Sequence, residues 1–240
     1  MSDLVDGARE LGVELSAGQL ARLDQLGAAL REGNRTVNLT RITDPAAVET
    51  RHFLDSLTVV LALRDFRQAD PGPRVVDVGS GGGLPGLPLK IALPDLRLTL
   101  VESVGKKATF LERTVRELGL EDVEVVNQRA ELAARQPEHR DRYDVALARA
   151  LGKLPVVLEL CSPFLSPGGL LVALRRGDLE AEVAAAAPAY KSLKLWARLP
   201  IPVHLPGLQD GRGLVVAEKY AATPQTYPRR PGLAARHPLA

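Results

Sequence analysis

Between Val75 and Gly86 the chain reads VVDVGSGGGLPG, and five of the last eight residues are glycine. A glycine-rich turn after a short apolar run lets a ligand approach the main chain. Gly81 to Gly86 formally matches GxGxxG, the dinucleotide fingerprint. The charges around it argue against a diphosphate. Asp77 stands two residues before Gly79, where its carboxylate is expected to face the ligand, and no lysine or arginine lies between Val75 and Leu89. No Gly-Lys-Ser/Thr follows, as a phosphate-cradling P-loop requires. A cationic ligand with a nucleoside and no phosphate suits this loop better, and S-adenosylmethionine, with its ammonium and sulfonium, is such a molecule. Glu102 closes the next apolar run, where an acid accepts hydrogen bonds from ribose hydroxyls. Dinucleotide sites use the same device, and the residue also reads as a solvated loop carboxylate. Asp77 is therefore the discriminating acid.

Other residues of chemical interest are less specific. His52 and Asp55 stand at i and i+3 of an expected helix and share a face with Val48 and Val59. They read either as a pair that positions a substrate or as a polar pair joining a helical region to the sheet. Asn38 reads as a turn amide or as a polar contact near the site. Cys161, in ELCSPF, is the single cysteine, which excludes an internal disulfide and a Cys-rich metal site. Its apolar surroundings suit a buried structural role. No metal site is expected.

Positioning these residues requires elements that the pattern supplies. Ser16 and Gln19 form a capping-box pattern, Leu20, Leu23 and Leu30 recur at helical spacing, and Gly33 stops the run. Asp44 and Pro45 read as the cap and first turn of a helix reaching about Leu63. Residues 1–70 thus form an N-terminal helical region, and Gln68 to Pro73 reads as a linker. From there strands alternate with helices: RVVDVG, LRLTLVE, VEVVNQ, YDVALAR and GGLLVAL are the strands, with a helix from Lys106 to Leu118 and another at Leu154 to Leu160. That order predicts an α/β fold, a doubly wound, mostly parallel Rossmann-like sheet over 71–220. A helix from Glu180 that stops at Pro188, and late strands over Ser192 to Leu199 and Leu214 to Glu218, complete it. Residues 221–240, with four prolines, read as a basic extended tail.

Composition bounds the rest. With 45% hydrophobic and 25% charged residues in 240, the chain has an ordinary soluble composition and enough length for a sizeable core. No apolar run is long enough to span a membrane, the acidic N-terminus is no signal peptide, and the cytoplasm is the expected location. Net charge is only +2. The tail holds Arg229, Arg230 and Arg236 and no acid; taking these three from the 31 basic residues leaves 28 against 29 acidic. Arg229 and Arg230 beside Tyr227 suit phosphate contact and stacking, although a solvated tail has the same composition. No heptad pattern calls for a partner chain, so a monomer is expected.

DVGSGGGLPGLPLKIA followed by LVESVGKKATFLERTVRELGL resembles the bacterial glucose-inhibited division protein B family, the 16S ribosomal RNA guanine-nitrogen-7 methyltransferases. NRTVNLTRI, the H-x-x-D-S-L of RHFLDSL, ARAL at Ala148 to Leu151 and YPRRPG resemble the same family in the same order, over roughly residues 15–235. The resemblance implies S-adenosylmethionine as cofactor and one guanine in the 530 loop of 16S ribosomal RNA, free or in the 30S subunit, as substrate. It places cofactor contacts at Gly79, Gly81 and Leu84 in the loop, at Ala130 and Glu131 in NQRAEL, and at Arg149. Asn38, His52, Asp55, Arg229 and Arg230 are candidates for positioning the RNA. Members commonly carry Lys-Gly after the fifth strand; here ALRRGD leaves Arg175 or Arg176 for that place.

The implied chemistry asks for no general base, because nitrogen-7 of guanine has an in-plane lone pair and in-line displacement removes no proton. No catalytic base is identified. An Asn/Asp-Pro-Pro-aromatic element for exocyclic amines is absent where ARAL stands. The competing readings are a methyltransferase for a small molecule or protein, a nicotinamide oxidoreductase using the formal GxGxxG, and an RNA-binding module with a relic pocket.

Overall fold

The computed structural model describes residues 2–63 and 72–239. It opens with α1 (Ser2–Glu10), which the sequence pattern did not reveal, and α2 (Ala17–Gly33). The capping box of α2 forms as expected: the Ser16 hydroxyl accepts from the Gln19 N–H, and Gln19 Oε1 accepts from the Ser16 N–H at 2.8 Å. The Gln19 side chain also reaches out of its own helix. Its Nε2 donates to the carbonyls of Ile91 and Ala92 at 2.9 and 3.0 Å.

Asp44 caps the next segment through the Ala47 N–H, but the segment is not one uniform helix. α3 (Pro45–Val48) passes into a π-helical stretch (Glu49–Leu54), then α4 (Asp55–Leu57), then a 3-10 turn (Thr58–Leu61). Every residue from His52 to Val60 is buried. The segment has no solvated face, so its polar side chains must find partners inside the protein. Residues 68–71 of the expected linker lie outside the described residues.

The sheet follows: β1 (Arg74–Val78), α5 (Gly86–Ala92), β2 (Arg97–Val101), α6 (Gly105–Glu117), β3 (Val123–Val126), α7 (Ala130–Ala133), β4 (Tyr143–Arg149), α8 (Leu154–Cys161) and β5 (Leu165–Arg176). Then come α9 (Leu179–Ala185), α10 (Ala187–Leu193), β6 (Leu195–Ala197), β7 (Ile201–Pro202), β8 (Arg212–Lys219) and α11 (Leu233–Arg236). The strand order is β3-β2-β1-β4-β5-β8-β6, with β7 also paired to β8. β1 to β5 are parallel, and β8 inserts antiparallel beside β5. Strand order reverses between β1 and β4, and in such sheets ligands bind beyond the carboxyl ends of the strands at that point.

Both faces of the sheet are covered, which explains the unbroken apolar strands. Val75, Val145, Leu147, Val172, Leu174 and Leu214 point into one core, shared with Leu23, Leu26, Leu30 and Phe53 of the N-terminal helices. Val76, Ala146, Ala148, Leu171, Ala173 and Val215 point into the other, with α8 and α10. By the same alternation Asp77, Arg149, Arg176 and Arg212 face the N-terminal helices, and Arg175 faces the opposite way.

Three expectations need correction. Pro188 does not end a helix; α9 stops at Ala185 and Pro188 sits in the first turn of α10, where its missing N–H leaves no helical bond unmade. The strand expected over Ser192 to Leu199 shrinks to β6, because Ser192 and Leu193 finish α10 and Lys194 turns left-handed at φ 63°. The tail is not extended throughout, since α11 forms within it.

The Gln19 contact generates a test. Gln19→Glu keeps the oxygen that caps α2 and removes the amide donors to Ile91 and Ala92. Urea unfolding is expected to show a loss of about 1–2 kcal/mol, with the helical circular dichroism of the folded protein unchanged.

Candidate functional site

The loop after β1 is shaped by the protein's own packing. At Gly79 the backbone turns with φ +75°, in the region that favours glycine. The N–H groups of Gly79 and Ser80 both donate to the carbonyl of Val101, at 2.8 and 3.1 Å, which ties the loop to the end of β2. At Gly86 a Cβ would lie 2.9 Å from both Asp77 Oδ2 and Leu100 Cδ2. Part of the glycine richness is therefore demanded by the protein, with or without a ligand. Leu84, in the same loop, is half-buried and packs against the core.

Three acids stand at successive strand ends, each in a different environment. Asp77, expected to face the ligand openly, is instead only 1% exposed. Its Oδ2 accepts from the Gly86 N–H at 3.0 Å, at the start of α5. Its Oδ1 is buried without a hydrogen-bond partner among the described residues. Burial pushes its carboxyl up to about 7, against the opposing pull of the Gly86 N–H and Arg149. Glu102 holds one backbone N–H on each oxygen: Oε2 accepts from the Gly81 N–H at 2.9 Å and Oε1 from the Val104 N–H at 2.7 Å. Glu131, beside Ala130 at the start of α7, accepts through Oε1 from the Gly232 N–H at 2.8 Å and from Arg129 at 3.1 Å. Burial alone would raise its carboxyl, but these donors and its own N–H hold it below the usual value.

Arg149 ends β4 and meets the buried helical segment. Its Nη2 lies 2.6 Å from the Arg51 carbonyl, 3.1 Å from His52 Nδ1 and 3.2 Å from Asp55 Oδ2. Asp55 Oδ1 in turn pairs with Arg212 Nη1 at 2.6 Å. Arg212 grips Asp210 with two bonds of 2.8 and 2.7 Å, and Arg176 stands 3.5 Å from the same acid. His52 Nε2 is 2.7 Å from the Thr40 hydroxyl. Burial first, then Arg149, lowers the His52 ring to about 4, so it is neutral at pH 7. His52 and Asp55 thus join the helical segment to the sheet. Arg212, Asp210 and Thr40 were not singled out from the sequence. Arg212 had a readable signal, a single arginine opening an apolar run as Arg149 closes one.

The remaining candidates separate cleanly. Arg175 pairs with Glu182 on the far face, so only Arg176 shares the face of Arg149. Asn38 is exposed, and the turn amide is Asn34, whose Oδ1 accepts from the N–H groups of Leu39 and Thr40. Arg230 is exposed, whereas Arg229 pairs with the buried Glu159. Cys161 is buried, and burial pushes its thiol up. No cluster of three metal-ligating side chains occurs among the described residues.

A cavity of about 350 Å³ opens over Asp55, Arg149, Ala150, Leu174, Arg175 and Arg176. A larger one of about 780 Å³ lies at the opposite end of the sheet, around Lys90, Asp95, Arg97 and Asp122. Position outweighs volume here: only the first lies at the carboxyl ends of the strands. Beside it Arg149 Nη1, like Asp77 Oδ1, is buried without a hydrogen-bond partner among the described residues. One orphaned acceptor and one orphaned donor on adjacent strands match a ligand that carries both an ammonium and a carboxylate.

The two shifted groups act oppositely on stability. Between pH 5 and 6.5 folded Asp77 holds a proton that the unfolded chain, at 3.8, has released, so rising pH lowers stability. Folded His52 lacks a proton that the unfolded ring, at 6.5, still holds, so rising pH raises stability. Asp77→Asn should make the slope of stability against pH more positive by about 1.4 kcal/mol per pH unit, and His52→Gln more negative by the same amount. Urea titrations across that window measure both; parallel curves for variants and parent would refute the assignments.

Comparison with known proteins agrees with this architecture. Residues 19–199 match the family described as rRNA small subunit methyltransferase G. Over 239 residues the chain is 42% identical to the ribosomal RNA small subunit methyltransferase G of Dehalococcoides mccartyi and 43% identical to that of Roseiflexus castenholzii, covering 100% of both chains each time. Among solved structures, a variant of MtNAS aligns over 86% of this chain and 78% of its own, with a TM-score of 0.54 and 17% identity, a likeness of fold. The chain belongs to the rRNA small subunit methyltransferase G family.

Proposed function

We propose that this protein methylates nitrogen-7 of one guanine in 16S ribosomal RNA, in the 530-loop region, with S-adenosylmethionine as methyl donor. The observation that carries the reading is the pair of orphaned buried atoms, Asp77 Oδ1 and Arg149 Nη1, at the strand reversal beside a loop without cations. Together they suit the methionine end of that cofactor. Asp77, Gly79, Gly81 and Leu84 would hold this end with Arg149, and Glu102, Ala130 and Glu131 the adenosine end. A carboxylate that already takes two backbone N–H groups, as Glu102 does, is fixed in place and keeps lone pairs for ribose hydroxyls. A variant of MtNAS solved with S-adenosylmethionine shares the fold at a TM-score of 0.54.

The bound cofactor supplies a methyl group on a sulfonium, an electrophile that needs no acid. The chain's own task is placement. Nitrogen-7 presents its lone pair without losing a proton, so no residue has to act as base, and a neutral His52 locked between Thr40 and Arg149 is consistent with that. Orientation of this kind is worth about 7–11 kcal/mol of barrier. A buried, protonated Cys161 leaves no thiolate for pyrimidine carbon chemistry. Asn38, Arg176 and Arg230 are exposed and available to RNA; His52, Asp55 and Arg229 are taken by protein partners and act on it only by shaping the site.

Radiolabelled S-adenosylmethionine offered with unmodified small-subunit RNA and with 30S particles tests the reading. Label mapped to a single guanine is the expected result, and Arg149→Ala should weaken cofactor binding by at least about tenfold, the worth of one charge-assisted hydrogen bond. Absence of label on either substrate, with calorimetric cofactor binding intact, would redirect the assignment to a small molecule or a protein.

A further inference from the structure

We propose that the C-terminal segment, instead of being a free RNA-binding tail, forms a wall of the adenosine end of the cofactor site, with Arg229 and the Gly232 N–H as positioning groups that act through Glu131. This rests on the cofactor reading above.

Composition makes the segment look solvated and basic. Its contacts show otherwise. The Arg229 backbone N–H and Nε both donate to Glu159 Oε1 at 2.9 Å, and Nη2 donates to Oε2 at 2.6 Å. Glu159, on α8, is 0% exposed, and a buried carboxylate requires such a partner. Upstream, Arg140 donates to the carbonyls of Thr223 and Tyr227 at 2.8 and 3.0 Å, and Arg135 to that of Pro228 at 2.6 Å. The segment is thus clamped on both sides of residue 228. Three residues past Arg229 the chain turns at Gly232, with φ +78°, and its N–H reaches Glu131 Oε1. α11 then returns the chain to α8, burying Ala234. Glu131 is 4% exposed; its other side-chain donor, Arg129, comes from an exposed residue. The clamp therefore sets where the Glu131 carboxylate stands. None of these contacts involves Asp77 or Arg149, so the influence of the segment is expected on the nucleoside end.

Gly232→Val tests this, because a β-branched residue resists the left-handed turn that aims the N–H. Gly168→Val, which imposes similar strain at φ +88° in open space at the far end of the sheet, is the control. The chain ending at Arg230 is a second variant, which keeps the Arg229–Glu159 pair and loses Gly232 together with α11 and the Arg229 bond to the His237 carbonyl. Calorimetry with S-adenosylmethionine and with 5′-methylthioadenosine, which lacks the amino-acid end, is the measurement. The Gly232 variant and the shortened chain should each lose about ten- to a hundredfold in affinity for both ligands. The thermal melt of the Gly232 variant should fall no further than that of the Gly168 control, and the KM for RNA should match the parent, with the KM for cofactor raised and kcat retained at saturation. Unchanged 5′-methylthioadenosine affinity in both, or an equal loss in the Gly168 control, overturns the proposal. A parent protein that binds neither ligand overturns the cofactor reading and this proposal with it.

Discussion

Everything at the site depends on the line of charges Arg149–Asp55–Arg212–Asp210, which crosses from the N-terminal helices to the sheet. Buried charges cost several kcal/mol each unless paired; Arg149, Asp55 and Arg212 are paired across segments far apart in sequence, and the exposed Asp210 holds Arg212 from two residues away. β4 supplies one arginine, β8 another, and the helical segment the acid between them. Arg212 has a local partner in Asp210, but Asp55 and Arg149 find theirs only when the helical segment and the sheet come together. That makes docking of the helices a condition for forming the site. It also orients Arg149: Nη2 is claimed by Arg51, His52 and Asp55, so Nη1 is the end left over. A loose surface arginine would not present one defined donor.

The elements were legible because both faces of the sheet are buried. Strands such as VVDV and VALA are continuous apolar runs, and the caps at Ser16 and Asp44 are local signals that need no tertiary information. What stayed illegible depends on partners distant in the chain. Asp77 reads as a ligand-facing acid from its place at a strand end, and only the packing of Gly86 and Leu100 over it shows that it is buried. Arg175 and Arg176 are equivalent in sequence; the pleat separates them, one to Glu182 and one to the site face. The π-helical stretch at Glu49–Leu54 replaces a regular helix where His52 and Asp55 turn inward, and no propensity rule marks it.

The three acids show how one residue class is tuned by surroundings. Glu102 takes two backbone N–H groups; the donors around Glu131 favour its charged form, whereas deep burial favours the neutral form of Asp77 against its single donor. A cation near Asp77 Oδ1 would tip that residue toward the carboxylate. Ligand charge and the Asp77 proton therefore compete, and the unmet atom stores an attraction that a neutral ligand cannot use.

RNA recognition must then be a matter of placement and not of total charge. The chain carries a net charge of only +2, and one of its three tail arginines is neutralised inside the protein by Glu159. Affinity for a polyanion grows with the number of phosphates contacted, so exposed cations gathered in one region count for more than the total. Arg41 and Arg51 flank the segment that carries His52, Lys153 follows β4, and Arg176 closes β5; all four are exposed. Arg51 lies four residues before Asp55, Lys153 four after Arg149, and Arg176 pairs in register with Arg212 across β5 and β8. The segments that carry the buried charges therefore also carry exposed ones, Arg176 with Asp210 3.5 Å away, and the docking that buries the first set fixes where the second set stands.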